Sequence, residues 1–309
     1  MRPPERGIAL ITALLVVALA TLAATALLSS SSLAIHRTAS LRDSEQGWWV
    51  ARGVESWVLG ILQKDAAANK YDALSDDWAV PVDNLPVDHG HVRGRVVDLQ
   101  GRYNLNNAVL DKVNEQAYRT QLDELIRGLT LQTPAPPGLA GAILDWADED
   151  QNPRFPGGAE DSVYLGLIPP YRAANRPFTV VSELRAVHGV TPEIYDALAP
   201  LVSALPKVTR INVNTADVQV LRALSTSANV GKLEQFIQTR VDQPAREITE
   251  FNNTGALGGE AAPYIATTSE YFQIQGEVFV GSSRVALYSL VHRPTTGAPT
   301  VLAHAADAE

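Results

Sequence analysis

The chain has 309 residues, of which 46% are hydrophobic and 19% charged, so it has material for a folded core and is not a disordered chain. It contains 25 Lys and Arg residues and 34 Asp and Glu residues, which gives a formal net charge of -9. A surface this acidic repels a phosphate backbone, which disfavours nucleic acid as a partner. The chain contains no cysteine, which excludes disulfides, thiolate zinc sites and cysteine nucleophiles.

An uncharged apolar segment covers residues 8–28, with Thr12, Thr21 and Thr25 as its only polar side chains. As a helix it would be about 32 Å long, enough to cross the hydrocarbon core of a bilayer. A secretory signal peptide is the alternative, but its apolar core is shorter and ends at a small-residue cleavage site. Arg2 and Arg6 precede the segment, which predicts a membrane anchor with a cytoplasmic N-terminus and the body across the membrane.

The helix is predicted to continue beyond the membrane. No proline occurs between Pro4 and Pro81, and an apolar face persists at helical spacing over residues 47–61. The helix should therefore reach about residue 66. Trp48, Trp49 and Trp57 are predicted to widen this face and to pack in the core under a sheet.

Alternation of apolar and polar residues predicts strands near both ends of the remaining chain. Residues 94–105 are predicted to form two short strands about a turn at Gln100 and Gly101, and residues 271–280 and 284–292 to form a hairpin. The pattern between these regions is helical. The predicted fold is α+β: an N-terminal membrane-spanning helix continues into a helix packed on a small antiparallel sheet, with a large inserted α-helical domain.

An acidic loop lies inside the predicted helical domain, at residues 145–161 (DWADEDQNPRFPGGAED). The candidate ligands in this loop, all oxygen donors, are Asp148, Asp150, Asn152, Glu160 and Asp161. The first three match the start of a calcium-binding loop, but Pro153 and Ala159 replace the glycine and glutamate of an EF-hand. Flexible oxygen ligands, with no cysteine and no histidine nearby, favour calcium. A solvated acidic loop without an ion is the alternative.

Catalytic motifs are absent from the sequence: it has no nucleophile elbow, zinc-protease motif or phosphate-binding loop. Acids two and three residues apart suit cation binding better than opposing acid and base roles, so we expect no enzyme. His89 and His91 form a pair without a third ligand and are expected to be an exposed loop pair.

Residues 211–224 (INVNTADVQVLRAL) resemble the helix-hairpin-helix of periplasmic DNA-uptake proteins. Asn214 or Thr215 is the predicted N-cap of the helix within this segment. A membrane-anchored, periplasmic DNA-binding protein is therefore the alternative function. Residues 225–228 lack the glycine whose backbone would face phosphate, which favours a packing role for the segment.

The first fifteen residues, MRPPERGIALITALL, combine a short charged leader ending at Gly7 with the apolar span directly behind it. This arrangement resembles the class III signal of type IV pilins and type II secretion pseudopilins. The resemblance implies that prepilin peptidase removes residues 1–7 and that Ile8 becomes N-methylated. Most members have glutamate at the fifth mature position, where this chain has Thr12. That departure is typical of the K-type minor pseudopilins (the general secretion pathway protein K family).

The acidic loop and residues 211–224 also resemble the K type, so that the resemblance covers nearly the whole chain. It implies a pilin-like domain over residues 29–105 and 266–293, an inserted helical domain over 106–265, and a structural calcium ion held by the loop. Residues 294–309 are predicted to be a disordered tail.

The resemblance implies a role in protein export from a Gram-negative bacterium. A K-type protein caps or initiates the tip of the periplasmic pseudopilus, and Thr12 would need no subunit ahead of it. The implied location is the inner membrane, single-pass, with the body periplasmic. The implied partners are the I- and J-type and then the H-type minor pseudopilins, prepilin peptidase, the membrane and secreted substrates, and no nucleic acid.

Overall fold

A computed structural model describes residues 6–305, with side chains from residue 9 onward. Most of the predicted leader (residues 1–5) and the last four residues, 306–309, lie outside the described residues. The first element is one uninterrupted helix, α1 (Arg6–Ala68). Its stretch Ala9–Ala68 is long and apolar enough to cross a membrane, with a mean hydropathy of 2.5 in its most apolar window.

The second half of α1 packs on a sheet. Its buried stripe includes Gly47, Ala51, Val58 and Leu62. A Cβ at position 47 would lie 2.9 Å from a methyl carbon of Val285, so glycine lets the helix approach the sheet closely.

The three tryptophans of α1 were wrongly predicted to lie in the core. Trp48, Trp49 and Trp57 are 45%, 78% and 50% exposed. Successive residues are rotated by about 100° around a helix, so Trp49 points away from the face that Gly47 presents to the sheet. These indole rings are therefore surface features of the helix.

The strands of the described chain are β1 (Val82–Val87), β2 (Gly90–Asp98), β3 (Tyr103–Asn104), β4 (Val202–Ser203), β5 (Ile211–Asn212), β6 (Ile265–Ala266), β7 (Tyr271–Val280), β8 (Ser283–His292) and β9 (Thr300–Ala305). Five of them form an antiparallel sheet in the order β1-β2-β7-β8-β9. The predicted hairpin is present as β7 and β8, with Val280 opposite Ser283. The α+β architecture predicted from the sequence is confirmed.

Two predictions around this sheet were wrong. Residues 94–105 do not form a hairpin, because the Asp98 carboxylate accepts a hydrogen bond from Gln100 N at 2.8 Å and turns the chain away from the sheet. β3 then pairs in parallel with β4, while β2 pairs with β1 and β7. The tail is not disordered over Thr300–Ala305, because these residues form β9 and complete the sheet against β8.

The helices after α1 belong to the inserted region: α2 (Asn107–Leu110), α3 (Glu115–Arg127), α4 (Leu139–Ala147), α5 (Asp161–Tyr164), α6 (Pro192–Leu198), α7 (Val218–Ala223), α8 (Val230–Thr239) and α9 (Ile248–Asn253). They surround the largest hydrophobic core of the described chain. The predicted cap of α7 was wrong by two or three residues: Asp217 accepts from Gln219 N. Asn214 instead bonds to both backbone groups of Ala245, and Thr215 donates to Asp98.

Candidate metal centre

The acidic loop joins the end of α4 to the start of α5. All nine residues of α4 are buried, including Asp145 in its last turn, and Asp148 follows as the C-cap residue. Glu160 is the N-cap residue of α5. Trp146 and Tyr164 meet edge to face with ring centroids 5.3 Å apart, so the two helix ends are held together by an aromatic contact.

Three buried carboxylates converge where these helix ends meet. Asp145, Asp148 and Glu160 are 0%, 1% and 2% exposed, and each offers an oxygen within 4.8 Å of the others. Neither oxygen of Glu160 has a hydrogen-bond partner, and neither has Asp148 Oδ1. Buried polar atoms are almost always paired, and an isolated buried charge is costly. Three such oxygens within one cluster of buried carboxylates fit the ligand set of a hard cation such as calcium.

One cation of the protein already contacts this cluster. Arg154 Nη1 donates to Asp145 Oδ1 at 2.7 Å and also to Asp148 Oδ2, and Nη2 donates to Glu115 Oε1 on α3 at 2.7 Å. The loop backbone passes so close that a Cβ at position 158 would lie 2.2 Å from Asp145 Oδ2. Gly158 is therefore needed for the loop to close over the carboxylates.

The pKa values of Glu160 and Asp148 are raised, as expected for buried carboxylates that lie close together. Burial, reinforced by the negative charges of Asp145 and Asp148, raises the pKa of Glu160 to about 7. Burial also raises the pKa of Asp148, although its hydrogen bond from Arg154 acts in the opposite direction. The protein alone does not compensate these charges, which is the condition under which a carboxylate takes up either a proton or a metal ion.

The structure brings together two of the five ligands predicted from the sequence, Asp148 and Glu160. The other three make local contacts instead. Asp150 is exposed and accepts from Asn152 N at 2.8 Å, which lowers the pKa of Asp150. Asp161 accepts from Ala173 N at 3.1 Å.

Sequence reasoning missed Asp145 as a member of the buried carboxylate cluster. It lies in the same acidic run, three residues before Asp148, and residues at that spacing share one face of a helix. A helix predicted to run up to residue 148 would have placed Asp145 and Asp148 on the same face and so identified Asp145 as part of the cluster.

A second acidic group, Asp65, Asp72 and Asp76, lies at the end of α1. Here Arg293 donates to Asp65 Oδ2 at 3.0 Å and to Asp72 Oδ1. The remaining oxygens accept from Asn69, from Trp78, or from the backbone N–H groups of Ala73 and Ser269. Every carboxylate oxygen of this group has a partner, so it is a closed ion-pair network and not a metal site.

Comparison with known proteins agrees with this architecture. Family models described as protein K of the type II secretion system match residues 101–207 and 211–274. Type II secretion system protein K of Pseudomonas aeruginosa is 35% identical, over 98% of this chain and 93% of that protein. The chain belongs to the type II secretion system protein K family. The homologue from Pectobacterium carotovorum subsp. carotovorum is 32% identical over 94% of each chain.

A solved structure extends the match to the fold. One chain of the GspK-GspI-GspJ complex from the enterotoxigenic Escherichia coli type 2 secretion system superposes with a TM-score of 0.76 at 26% identity. The match covers 88% of this chain and all of that one. The protein K family membership therefore applies to the pilin-like and helical parts together.

The segment that resembled a helix-hairpin-helix serves the protein K fold. Arg240, one of the two basic residues behind it, is buried and donates to the backbone oxygens of Val213 and Ala216 at 2.8 and 2.6 Å. A guanidinium used in this way holds the segment together and is not available to phosphate. Neither this geometry nor the comparisons favour the DNA-binding alternative.

The remaining predicted sites have simple surroundings. The predicted exposed loop pair is wrong for His91, which lies in β2, is half-buried and stacks on Phe279 with ring centroids 4.6 Å apart. Among the described residues neither it nor His89 belongs to a group of three potential metal ligands. Thr12 Oγ1 donates to the carbonyl oxygen of Ala9 at 3.0 Å, within its own helix. Gly7 and Ile8 lie in the first turns of α1, so the predicted processing site is at the start of the helix.

Proposed function

We propose that the protein is a minor pseudopilin that caps or initiates the tip of the periplasmic pseudopilus during export of folded proteins across the outer membrane. The observation that carries this proposal is the match, over 88% of the chain, to a chain of a GspK-GspI-GspJ complex. Accordingly, its direct partners would be the I- and J-type pseudopilins of the same system, followed by the H type.

α1 supplies the anchor and the assembly surface in this proposal. Its 63 residues would extend about 95 Å as a straight helix. The apolar first half lies in the inner membrane with the N-terminus cytoplasmic, and the second half carries the exposed tryptophans in the periplasm. Prepilin peptidase removes residues 1–7 and Ile8 is methylated. Intact-mass analysis should therefore show the loss of seven residues and the gain of one methyl group; an intact Met1 would contradict this.

The helical domain gives the protein its place at the tip. The helical domain adds bulk beside the sheet. A further pseudopilin stacked above would collide with this domain and could not pack its own helix along α1. The role is one of assembly, and no catalytic step is assigned to the chain.

Calcium is the proposed structural cofactor. Asp148 and Glu160 would hold it through their unpartnered oxygens, with Asp145 completing the set of buried carboxylates. A bound divalent cation neutralises the mutual repulsion of these side chains and joins the end of α4 to the start of α5. It thereby stabilises the folded state by an amount that grows with the logarithm of its concentration above the Kd.

Co-purification tests the assembly role. The full-length protein, extracted in detergent from cells that also express tagged I- and J-type pseudopilins of the same system, should be retained with them at defined stoichiometry. A tagged major pseudopilin serves as the specificity control. Failure to recover the protein with I and J, together with a salt-dependent mobility shift on duplex DNA, would favour the alternative function.

A further inference from the structure

Each of the two acidic clusters found among the described residues contacts one arginine, but the two arginines compensate the carboxylates to different extents. In the cluster at the end of α1, Arg293 and its neighbours leave no carboxylate oxygen without a partner. In the metal centre, Arg154 contacts Asp145 and Asp148 on one side, while Glu160 and Asp148 Oδ1 have no partner. Arg154 therefore compensates only part of the negative charge of its cluster, and three carboxylate oxygens remain without a hydrogen-bond partner.

The charged side chains around Arg154 have a net negative charge that one divalent cation would balance. Four carboxylates are involved: Asp145, Asp148, Glu160 and, through Arg154, Glu115 on α3. The basic side chains paired with them are Arg154 and Lys112, whose Nζ lies 3.7 Å from Glu115. The difference is two negative charges, the charge that one calcium ion balances.

Arg154 is itself held in place from the other side. Its Nε and Nη2 both donate to Glu115 Oε1, at 3.0 and 2.7 Å, and only 13% of its side chain is exposed. A guanidinium fixed by a planar fork between α3 and α4 needs no metal ion to stay there. The loop is therefore tethered to the helical domain even when the unpartnered carboxylates bind nothing.

We propose that Arg154 is a resident counter-cation of the metal centre, which keeps the loop folded without calcium and lowers the affinity of the centre for calcium. This inference rests on the proposed calcium site. The guanidinium contacts Asp148 Oδ2, and a calcium ion bound through Asp148 Oδ1 shares the same carboxylate with it. Two positive charges this close repel each other in a poorly solvated site, so calcium binding is weakened while the metal-free protein is stabilised.

Calcium titration of arginine variants tests this inference. The full-length protein in detergent is stripped with chelator, and its Kd for calcium is measured by calorimetry beside its melting temperature without metal. Arg154→Gln should bind calcium about tenfold more tightly or better, because one repelling charge is gone, and should melt at a lower temperature without metal. Arg154→Lys keeps the charge but loses the fork, so its Kd should stay within about threefold of the wild type while its metal-free melting temperature falls.

Arg127→Gln is the matched control, since Arg127 is an exposed arginine on α3 paired with Glu124. It changes the net charge equally and should leave both the Kd and the melting temperature unchanged. Wild-type binding with an equal or weaker affinity in Arg154→Gln overturns the inference and leaves the calcium site standing. No calcium binding by the wild type overturns both. An Arg154→Gln chain that does not fold even in calcium also contradicts the inference, because the ion should hold the same carboxylates.

Discussion

The side-chain amide of Asn212, in the helical domain, donates to the backbone carbonyl oxygen of Asp72, just beyond the end of α1, at 3.1 Å. The same amide contacts Asp98 Oδ2 and Ser269 Oγ, both at 3.0 Å, while the Asp72 carboxylate accepts from Arg293. One buried polar network therefore joins α1, the sheet and the inserted domain. Because its members are paired on every side, it fixes the orientation of the helical domain relative to the anchor helix.

Arg293 is the only cation in this network among the described residues, and we expect Arg293→Met to be strongly destabilising. Its guanidinium is buried over the ring of Phe272, and removing it leaves Asp65 and Asp72 without their partner. Breaking a buried pair on one side costs about 3–5 kcal/mol. Chemical denaturation of the full chain in detergent measures the change, with exposed Arg222→Met as the control expected within about 0.5 kcal/mol of the wild type. Equal midpoints for the two variants would contradict the role of Arg293.

The stability of the metal-free protein should rise as the pH falls from about 8 to 5. Burial raises the pKa of Asp65 to about 6 from 3.8 and that of Glu160 to about 7 from 4.5. The folded state therefore takes up protons at a higher pH than the unfolded state, and protonation through this range favours folding. Melting temperatures in chelator across the range test this expectation. Glu160→Gln should lose the part of the rise near pH 7, and a wild-type profile that is flat or falls toward pH 5 would contradict the prediction.

The sequence predicted those elements whose signal is local. The alternation over residues 271–280 defined β7, and the uninterrupted helical stripe defined α1. Sequence reasoning failed for elements that form only because a strand elsewhere in the chain pairs with them. β1 forms because β2 lies beside it, and β9 forms because β8 offers a free edge. No pattern within residues 82–87 or 300–305 shows those partners.

The candidate metal centre illustrates the same limit. Counting oxygen donors along the loop found Asp148 and Glu160, but it gave equal weight to Asp150, whose carboxylate bonds to the loop backbone two residues ahead. Burial separates these residues, and burial depends on how α4 packs. Likewise Trp49 reads as a core residue by type, whereas its position around the helix axis makes it 78% exposed.

Glu160→Gln should weaken calcium binding far more than Asp150→Asn. Glu160 contributes two buried, unpartnered oxygens to the cluster, whereas Asp150 is exposed and outside it. Addition of calcium to chelator-treated wild type should raise the melting temperature, by an amount equivalent to about 2.7 kcal/mol at a hundredfold excess over the Kd. Asp150→Asn should keep this response and Glu160→Gln should lose most of it. The opposite ranking would place the calcium site at the exposed part of the loop around Asp150 instead of at the buried cluster, provided that metal content is measured on the same samples.

Trp49→Ala should leave stability unchanged but reduce co-purification with the I- and J-type pseudopilins. An exposed indole on the assembly helix adds little to the fold, and large aromatic side chains often dominate the energy of an interface. Trp78→Ala is the contrasting variant, because Trp78 is buried and packs edge to face on Phe272 at 5.2 Å. It should cost about 3–5 kcal/mol in the free energy of unfolding. Undiminished recovery of Trp49→Ala with both partners would place the interface elsewhere on the chain.

Thr12→Glu should impair assembly if the protein occupies the tip. The Thr12 hydroxyl donates to Ala9 O, and residues 8–28 contain no charged side chain. A carboxylate at the centre of the span costs about 2.5–3.5 kcal/mol on insertion scales, and less near the interface. A subunit with a neighbour ahead of it could neutralise that charge against the neighbour's N-terminus, but a tip subunit has none. Thr12→Gln, which is uncharged and has the shape of the glutamate side chain, is the control. Cells with this variant should secrete as the wild type does, and the variant should co-purify with I and J. Unchanged secretion and assembly by Thr12→Glu would contradict the placement at the tip.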